Sequence, residues 1–433
     1  MPDHFISTSS SDPFDASPTV KKSSSVTPHP SGTPSSPSKT DRSEASYSGK
    51  QICPFCYTKQ KLRSGYPCPN ETCYSFRKGI PLPVEVFTHE LFPIVIAGAS
   101  SAGKSHFLAT LKHSLVDKSF WGEGEKDGGY WIWKFIPYFN PNNADNQSVD
   151  NPYILYEKNL YNDHPFTLGS TKKDDEHPPL LLTLEYLQPI RRMFEEPLLR
   201  KKSLLVAITD TAGEHFDGEA IGALEKNYPA LKKLGKGFIV ILDPTKAGGA
   251  GEANTVLSEF KPRRGKAKVP IAVCLSKIDE LARMGISGPD SWDWLDSNNS
   301  NTDLSMSGHL MLHNIQHNSR AVRKWMEKLT DPNKAFFFKE TDLNPKGTTF
   351  NEMAENCEDS FKYHSFFAVS ALGYDQFKTD ADGKLVQDST TGAISLKNVP
   401  KPIRVLDPLL WILWQHGKLG GTWKTPQMNR SLL

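Results

Sequence analysis

One short segment combines glycines, a lysine and hydroxyl side chains at the spacing that binds phosphate. It runs Gly98-Ala99-Ser100-Ser101-Ala102-Gly103-Lys104-Ser105 and fits the Walker A pattern G-x-x-x-x-G-K-[ST] at every defined position. The glycines permit backbone torsions that turn successive N–H groups toward a phosphate. Lys104 would neutralise β- and γ-phosphate oxygens, and the Ser105 hydroxyl would bind Mg²⁺. An ordinary glycine-rich turn is the alternative, but the apolar run before the segment and the helical pattern after it favour a phosphate-binding loop.

A second segment, Asp210-Thr211-Ala212-Gly213, ends an apolar run further along the chain. Asp210 at the carboxyl end of a strand could hold Mg²⁺ through a water molecule, and Gly213 would let its backbone N–H approach the γ-phosphate. The pattern D-x-x-G is short and carries little weight alone. Its position after a phosphate-binding loop is what supports the interpretation.

The segment Ser276-Lys277-Ile278-Asp279 could distinguish guanine from adenine. The Asp279 carboxylate could accept hydrogen bonds from N1–H and the 2-amino group of guanine, while the Lys277 side chain covers the ring. Adenine offers no such pair of donors, so ATP would leave a buried carboxylate unpaired. An ATPase is the alternative, and it requires this segment to be an ordinary strand end followed by a charged helix start.

A fourth segment at a strand end, Ser370-Ala371-Leu372, could offer backbone N–H groups to the guanine oxygen. This tripeptide is common, and by itself it indicates nothing. Its value comes from its order in the chain, because it follows the phosphate-binding, magnesium-binding and base-binding segments and again ends an apolar run.

Four of the six cysteines cluster near the start of the chain, in the sequences CPFC and CPNETC. Cys53, Cys56, Cys68 and Cys73 have the paired-knuckle spacing of a tetrahedral, structural Zn²⁺ site. Unliganded structural cysteines and an iron–sulfur site are the alternatives. A segment this small cannot build a useful apolar core, so the metal would supply most of its folding energy.

Short apolar runs alternate with helical patterns from residue 90 onward. Runs rich in β-branched and aromatic residues predict buried strands, and they occupy 91–99, 178–187, 202–210, 237–243, 270–277 and 364–371. Helical spacing covers 105–116, 219–234, 308–329 and 407–417. This alternation predicts a doubly wound α/β domain with a mostly parallel sheet. We therefore expect a zinc ribbon at 51–80 and a nucleotide-binding domain at 90–433, with insertions near 120–177 and 282–362.

The remaining composition restricts the partners and the location of the protein. Residues 1–50 are rich in Ser, Thr, Pro and Asp, which predicts a disordered tail that is either a simple linker or a phosphorylated or partner-binding segment. A net charge of +2 gives no signal for nucleic acid. The chain starts without a signal-peptide pattern, and no apolar run is long enough to span a membrane, so we expect a cytoplasmic protein.

The four strand-end segments, in this order, resemble the Ras-like and translation-factor class of P-loop GTPases over residues 90–417. The layout is most similar to the bacterial double-GTPase family of biological conflict systems, which combines a Cys-rich ribbon, long insertions and a final helix like Asp407-Pro408-Leu409-Leu410-Trp411. The resemblance implies binding of GTP and GDP with Mg²⁺. It also implies protein partners, either an activating protein or a companion GTPase, in a defence or self-recognition pathway.

Three positions depart from the pattern of the class. Ser276 stands where Asn is commoner, which removes an amide that braces the phosphate loop, although a hydroxyl can substitute in part. Both Thr167 and Thr171 precede the strand at 178–187, and we prefer the nearer Thr171 as the switch-one ligand of Mg²⁺. Glu214 follows the D-x-x-G segment where Ras-like enzymes commonly have a glutamine, which affects the expected hydrolysis rate but not binding.

These observations predict a molecular switch that hydrolyses GTP to GDP and phosphate, slowly unless a partner assists. The residues expected to take part in the reaction are Lys104, Thr171, Asp210, Gly213 and Glu214. A catalytically weak GTP-binding scaffold is the alternative, and Glu214 is the feature that favours it.

Overall fold

The computed structural model describes most of the chain between residues 49 and 419, within a compact unit that spans Ser46–Leu433. The described residues are 49–116, 130–140, 151–168, 178–187, 202–211, 229–246, 248–262, 264–283, 286, 288, 308–329, 349–373, 376–388 and 392–419. The tail predicted at residues 1–50 lies outside them, apart from its last two positions.

A seven-stranded sheet forms the centre of the described residues, beside a small two-stranded sheet. The small sheet pairs β1 (Gln51–Ile52) with β2 (Lys59–Gln60). The strands of the large sheet are β3 (Glu90–Ala97), β4 (Tyr130–Phe135), β5 (Leu180–Leu187), β6 (Lys202–Asp210), β7 (Gly237–Leu242), β8 (Ile271–Leu275) and β9 (His364–Ala368). Their spatial order is β4-β5-β6-β3-β7-β8-β9. Neighbours are parallel from β6 to β9, whereas β5 is antiparallel to both β4 and β6.

The α/β class with a mostly parallel sheet is confirmed, and each predicted apolar run contains a strand. These runs are continuous rather than alternating because the central strands are covered on both faces, as the fully buried β7 and β8 show. Strand β4 was not predicted as part of the sheet. It lies within the expected insertion at 120–177, and its pairing with β5, where Phe135 faces Leu182, makes it an edge of the main sheet.

Helices cover both faces of the sheet. The described helices are α1 (Tyr74–Arg77), α2 (Glu85–Thr88), α3 (Lys104–Val116), α4 (Pro152–Leu160), α5 (Pro229–Leu234), α6 (Gly249–Phe260), α7 (Ile278–Arg283), α8 (Gly308–Leu329), α9 (Phe350–Ser360) and α10 (Asp407–Gln415). Helices α3 and α10 pack on one face, and α6 and α9 pack on the other. The sequence did not predict α6, whose glycine-rich start hides its helical pattern. Among the described helices, none has both the length and the apolar character that a membrane span requires.

The cysteine segment packs directly on the large sheet. Strand β3 points Ile94 and Ile96 toward α3, whereas Val95 and Ala97 belong to the same buried cluster as Tyr57 and other apolar residues of the cysteine segment. Burial of apolar side chains against the sheet therefore stabilises this segment in addition to any stabilisation by a bound metal.

Candidate functional site

The glycine-rich segment at residues 98–105 lies at the point where the chain changes direction across the sheet. It follows β3 directly, and β3 lies between β6 on one side and β7 on the other. In open α/β sheets, ligands bind outside the carboxyl ends of strands at such a switch point. The register pairs Ile96 with Asp210, so the carboxylate lies at the level where the loop begins.

The two glycines of this segment serve different purposes. A Cβ atom on Gly98 would lie 2.1 Å from the carbonyl oxygen of Ile241, so only glycine allows the loop to cross β7 this closely. Gly103 has a φ of +90°, a conformation that side chains strongly disfavour. Ser101 also has a positive φ, at 63°. The loop therefore turns tightly before α3 begins at Lys104.

Lys104 points back over the loop instead of outward into solvent. Its Nζ donates hydrogen bonds to the carbonyl oxygens of Gly98 at 2.9 Å and Ala99 at 3.0 Å, and the side chain is buried. The ammonium group is thus held where the loop would surround an anion. Ser105 and Asp210 line the same cavity, so oxygen atoms suited to Mg²⁺ lie beside the lysine.

One cavity of about 570 Å³ brings the separate sequence segments together. It is lined by Ser100, Ser101, Ala102, Gly103, Lys104 and Ser105 of the loop, by Asp210, by Ser276, Lys277 and Asp279, and by Ala371 and Leu372. A volume of this size is typical of pockets for small molecules and cofactors. Thr171, Gly213 and Glu214 lie outside the described residues.

Ser276 connects the end of β8 to the glycine-rich loop at residues 98–105. Its hydroxyl lies 2.8 Å from the carbonyl oxygen of Ala102 in the loop and 2.8 Å from that of Leu242 at the end of β7. The side chain is buried. This serine therefore braces the loop at the position where an asparagine is commoner in the class that the sequence resembles.

Asp279 is held by the neighbouring strand end. The pairing of Leu275 with Ala368 aligns β8 with β9, and the Ser370 hydroxyl donates to the Asp279 Oδ1 atom at 2.6 Å. Burial raises the pKa of the Asp279 carboxyl to about 6, although the hydrogen bond from Ser370 opposes the shift. The backbone N–H of Ser370 donates to the carbonyl oxygen of Ile403, and the next two residues, Ala371 and Leu372, line the cavity.

Lys277 has a partner that sequence reasoning missed. Its Nζ lies 2.6 Å from the Asp243 Oδ2 atom, and its backbone has a φ of 53°. The other carboxylate oxygen of Asp243 accepts hydrogen bonds from the backbone N–H and the hydroxyl of Thr245. An acidic residue directly after the apolar run of β7 was the available signal, because it resembles the placement of Asp210 after β6.

His106 and the segment that contains Thr167 meet at the edge of the cavity. Burial, with a smaller contribution from the Lys277 charge, lowers the pKa of His106 to about 4, so the ring is neutral at pH 7. Its Nε2 atom accepts a hydrogen bond from the backbone N–H of Leu168 at 3.0 Å. The Thr167 hydroxyl accepts one from Ile394 at 2.8 Å. Thr167, the less favoured switch-one candidate, therefore lies at the cavity, and its preferred rival Thr171 is not described.

Residues between β9 and α10 form a further wall that the sequence did not predict. Phe377, Leu385 and Ile394 line the cavity, and isolated antiparallel bridges join their segments to one another. The backbone N–H of Lys401 donates to the carbonyl oxygen of Leu372, which anchors the wall beside the end of β9. Short, widely spaced apolar residues between turns gave no clear strand pattern in this region.

The four clustered cysteines form a compact sulfur site. Their Sγ atoms all lie within 4.8 Å of one another, and the pairs Cys53–Cys73 and Cys56–Cys68 are both 3.8 Å apart. Tetrahedral Zn²⁺ with Zn–S bonds of about 2.3 Å requires Sγ atoms about 3.8 Å apart. The backbone N–H of Phe55 donates to the Cys53 Sγ atom, and Gln60 donates to that of Cys68. The cluster can therefore hold a metal ion such as zinc.

Comparisons of the chain with protein families and with curated proteins gave no match.

Proposed function

We propose that this protein binds GTP with Mg²⁺, hydrolyses it to GDP and phosphate, and uses the γ-phosphate as a conformational switch. One observation carries the proposal: four segments with the patterns of a GTPase line a single cavity at the switch point of a mostly parallel sheet. Each segment alone is short. Their convergence on one cavity makes accidental matches a poor explanation.

The loop from Gly98 to Ser105 binds the phosphates in this proposal. Its backbone N–H groups and the N-terminus of α3 supply partial positive charge, and Lys104 adds a full charge. Because Lys104 already contacts loop carbonyl oxygens, its ammonium group needs only a small movement to reach phosphate oxygens. Neutralising the γ-phosphate is the main way in which such a loop assists phosphoryl transfer.

Ser105 and Asp210 would hold Mg²⁺ in this site. Both line the cavity, and their hydroxyl and carboxylate oxygens are the hard ligands that this ion prefers. When bound, Mg²⁺ would neutralise charge that develops between the β- and γ-phosphates. Thr167 is a further hydroxyl at the cavity edge, and it would report the presence of the γ-phosphate if the segment around it moved.

Asp279, Lys277 and the backbone at Ala371 and Leu372 would recognise guanine. Ser370 orients Asp279 through one carboxylate oxygen without occupying all of the acceptor positions of this group. Asp243 holds the ammonium group of Lys277 and leaves the aliphatic part of that side chain able to cover a base. An ionised Asp279 can accept two hydrogen bonds from guanine, which adenine cannot supply. The proposal therefore predicts a large preference for GTP over ATP.

A catalytically weak GTP-binding scaffold is the second candidate. It is favoured by Glu214, because an ionised glutamate has no N–H to donate to the γ-phosphate and adds negative charge near it. A single-turnover assay with excess protein separates the two candidates. Release of phosphate supports the GTPase, whereas stable bound GTP supports the scaffold.

The binding test uses purified full-length chain and fluorescent GTP, with unlabelled GTP or ATP as competitor. We expect GTP to compete at least about 100-fold better than ATP, and removal of Mg²⁺ to weaken binding. Equal competition by ATP would exclude the assigned base pocket. No binding of either nucleotide would exclude the whole proposal.

For the cysteine cluster, we propose a structural zinc ion. Four thiolates fill a tetrahedral coordination sphere and leave no position open for a reacting water. Because the cysteine segment packs on the large sheet, the ion would also stabilise that surface of the sheet. Metal analysis of the purified chain should find about one zinc per molecule.

A further inference from the structure

A buried hydrogen bond connects the cysteine cluster to the strand that ends in Asp210. The Tyr57 hydroxyl lies 2.6 Å from the Thr209 hydroxyl, and both side chains are about 5% exposed. Thr209 directly precedes Asp210, which lines the cavity. In a strand, adjacent side chains point to opposite faces, so Thr209 faces the cysteine segment while Asp210 faces away from it.

The cysteine knuckle fixes the position of Tyr57. Tyr57 directly follows Cys56 and has a φ of 56°, a left-handed conformation that non-glycine residues rarely adopt. Its backbone N–H donates to the carbonyl oxygen of Cys53 at 2.8 Å. These two cysteines are half of the metal-ligand set. Loss of the metal would therefore remove the restraint that keeps Tyr57 in this conformation and its hydroxyl at Thr209.

We propose that Tyr57 is a positioning residue that couples metal binding at the cysteine cluster to binding of Mg²⁺ and nucleotide at Asp210. This inference rests on the proposed GTP site and adds a regulatory contact to it. The connection is short. Tyr57 directly follows Cys56 in the chain, Thr209 directly precedes Asp210, and the hydrogen bond between Tyr57 and Thr209 joins the two pairs. A buried tyrosine hydroxyl needs a partner, so the contact is stable only while both segments keep their present arrangement.

Thermodynamic linkage makes the coupling reciprocal. If bound zinc favours the arrangement of β6 that binds Mg²⁺ and nucleotide, then bound Mg²⁺ and nucleotide must favour zinc retention by the same factor. The second effect can be measured without relying on catalysis. The measurement uses protein with both zinc and nucleotide bound, and it follows the bound zinc instead of the nucleotide.

The experiment measures the release of zinc to an excess of a zinc-selective indicator chelator, with and without a saturating non-hydrolysable GTP analogue and Mg²⁺. In the parent protein we expect the analogue with Mg²⁺ to slow zinc release by about three- to tenfold, because one hydrogen bond can transmit a change in affinity of this size and affinity differences appear mainly in the dissociation rate. The test variant is Tyr57→Phe combined with Thr209→Val. It removes both hydroxyls, so neither is left buried and unpaired.

The double variant should still bind zinc and the analogue, but the analogue should no longer slow zinc release. Tyr66→Phe is the matched control, because Tyr66 belongs to the same segment and is 53% exposed. It should behave like the parent. If the double variant does not fold, Tyr57→Phe alone serves as the test variant, with the same expected result.

Two results would overturn the coupling while leaving the proposed function intact: the parent binds the analogue without any change in zinc release, or the test variant keeps the full slowing. Failure of the parent to bind the analogue would instead reject the proposed function, and the coupling with it. A direct binding measurement on the same sample distinguishes these cases.

Discussion

The cysteine cluster takes its four sulfur atoms from residues 53 to 73, whereas the cavity beside β3 takes its lining from segments between Ser100 and Ile394. The first site is nearly complete in a short stretch of sequence. The second exists only after four strand ends and the wall before α10 have come together. Changes at the cysteines should therefore act in an all-or-none way, while changes around the cavity should have graded effects that depend on which segment is altered.

The largest effect is expected when Cys53 and Cys56 are both replaced by Ser. Two of four thiolates are lost, so bound zinc should fall from about one per chain to about zero, and the cysteine segment should become sensitive to protease. Cys357→Ala is the control, because this buried cysteine is outside the cluster and should leave the zinc content unchanged. Full zinc binding and protease resistance in the double variant would show that the cluster is not a metal site.

Lys104→Ala should weaken GTP binding by about 100-fold, because it removes a charge-assisted contact to phosphate. The fold should persist, since the strands and the loop glycines are unchanged. Lys261→Ala, at an exposed position after α6, is the control for loss of one positive charge. Titration with fluorescent GTP measures the effect, and an unchanged affinity would contradict the phosphate-loop assignment.

Asp279→Asn should exchange the base preference. The new amide can donate to the 2-oxo group of xanthine but cannot accept from both donors of guanine, so GTP should bind at least about tenfold more weakly and xanthosine triphosphate more tightly. Asp359→Asn, at an exposed position of α9, is the control. A variant that keeps the GTP preference of the parent would show that Asp279 does not contact the base.

The parent should also show a pH dependence that this variant lacks. The pKa of the Asp279 carboxyl is about 6, and guanine binding requires the ionised form, so GTP affinity should rise with pH through about 6 and then level off. Because burial raises this pKa, the group's contribution to the free energy of unfolding is present below the ordinary pKa of 3.8 and is lost as pH rises through about 6.

Ser276→Ala tests how the loop is braced. Removing the hydroxyl leaves the Ala102 carbonyl oxygen without this donor, which should cost about 1 kcal/mol and weaken GTP binding by about fivefold. Ser258→Ala, at an exposed position of α6, is the control. An effect as large as that of Lys104→Ala would mean that the serine contacts nucleotide directly.

The smallest effect is expected for Glu214→Gln, which concerns a residue outside the described part of the chain. A glutamine can both accept a hydrogen bond from the attacking water and donate to the γ-phosphate, so the single-turnover rate should rise by roughly a few-fold with little change in GTP affinity. Loss of hydrolysis with binding retained would instead identify Glu214 as a required base or water-positioning group.

The sequence predicted the parts of the molecule in which local pattern and local structure agree. Apolar runs located six strands of the large sheet, and the cysteine spacing located the cluster, because both signals depend on residues close together in the chain. His106 and the wall residues could not be found in this way. Their roles depend on contacts with distant segments, such as the bond between His106 and Leu168, and no residue spacing records such contacts.

Strand β4 affects whether the edge of the large sheet can pair with a second copy of this protein. Without it, the apolar β5 would be the edge of the large sheet, with its backbone N–H and carbonyl groups open to pairing with a second chain. With it, the edge carries Lys134, whose side chain is 57% exposed and lies 3.5 Å from the Glu185 carboxylate on β5. A charged side chain on an edge strand opposes sheet extension. Among the described strands, β4 and its lysine would therefore disfavour pairing of this sheet edge with a second chain, a role separate from those of the cavity and the cysteine cluster.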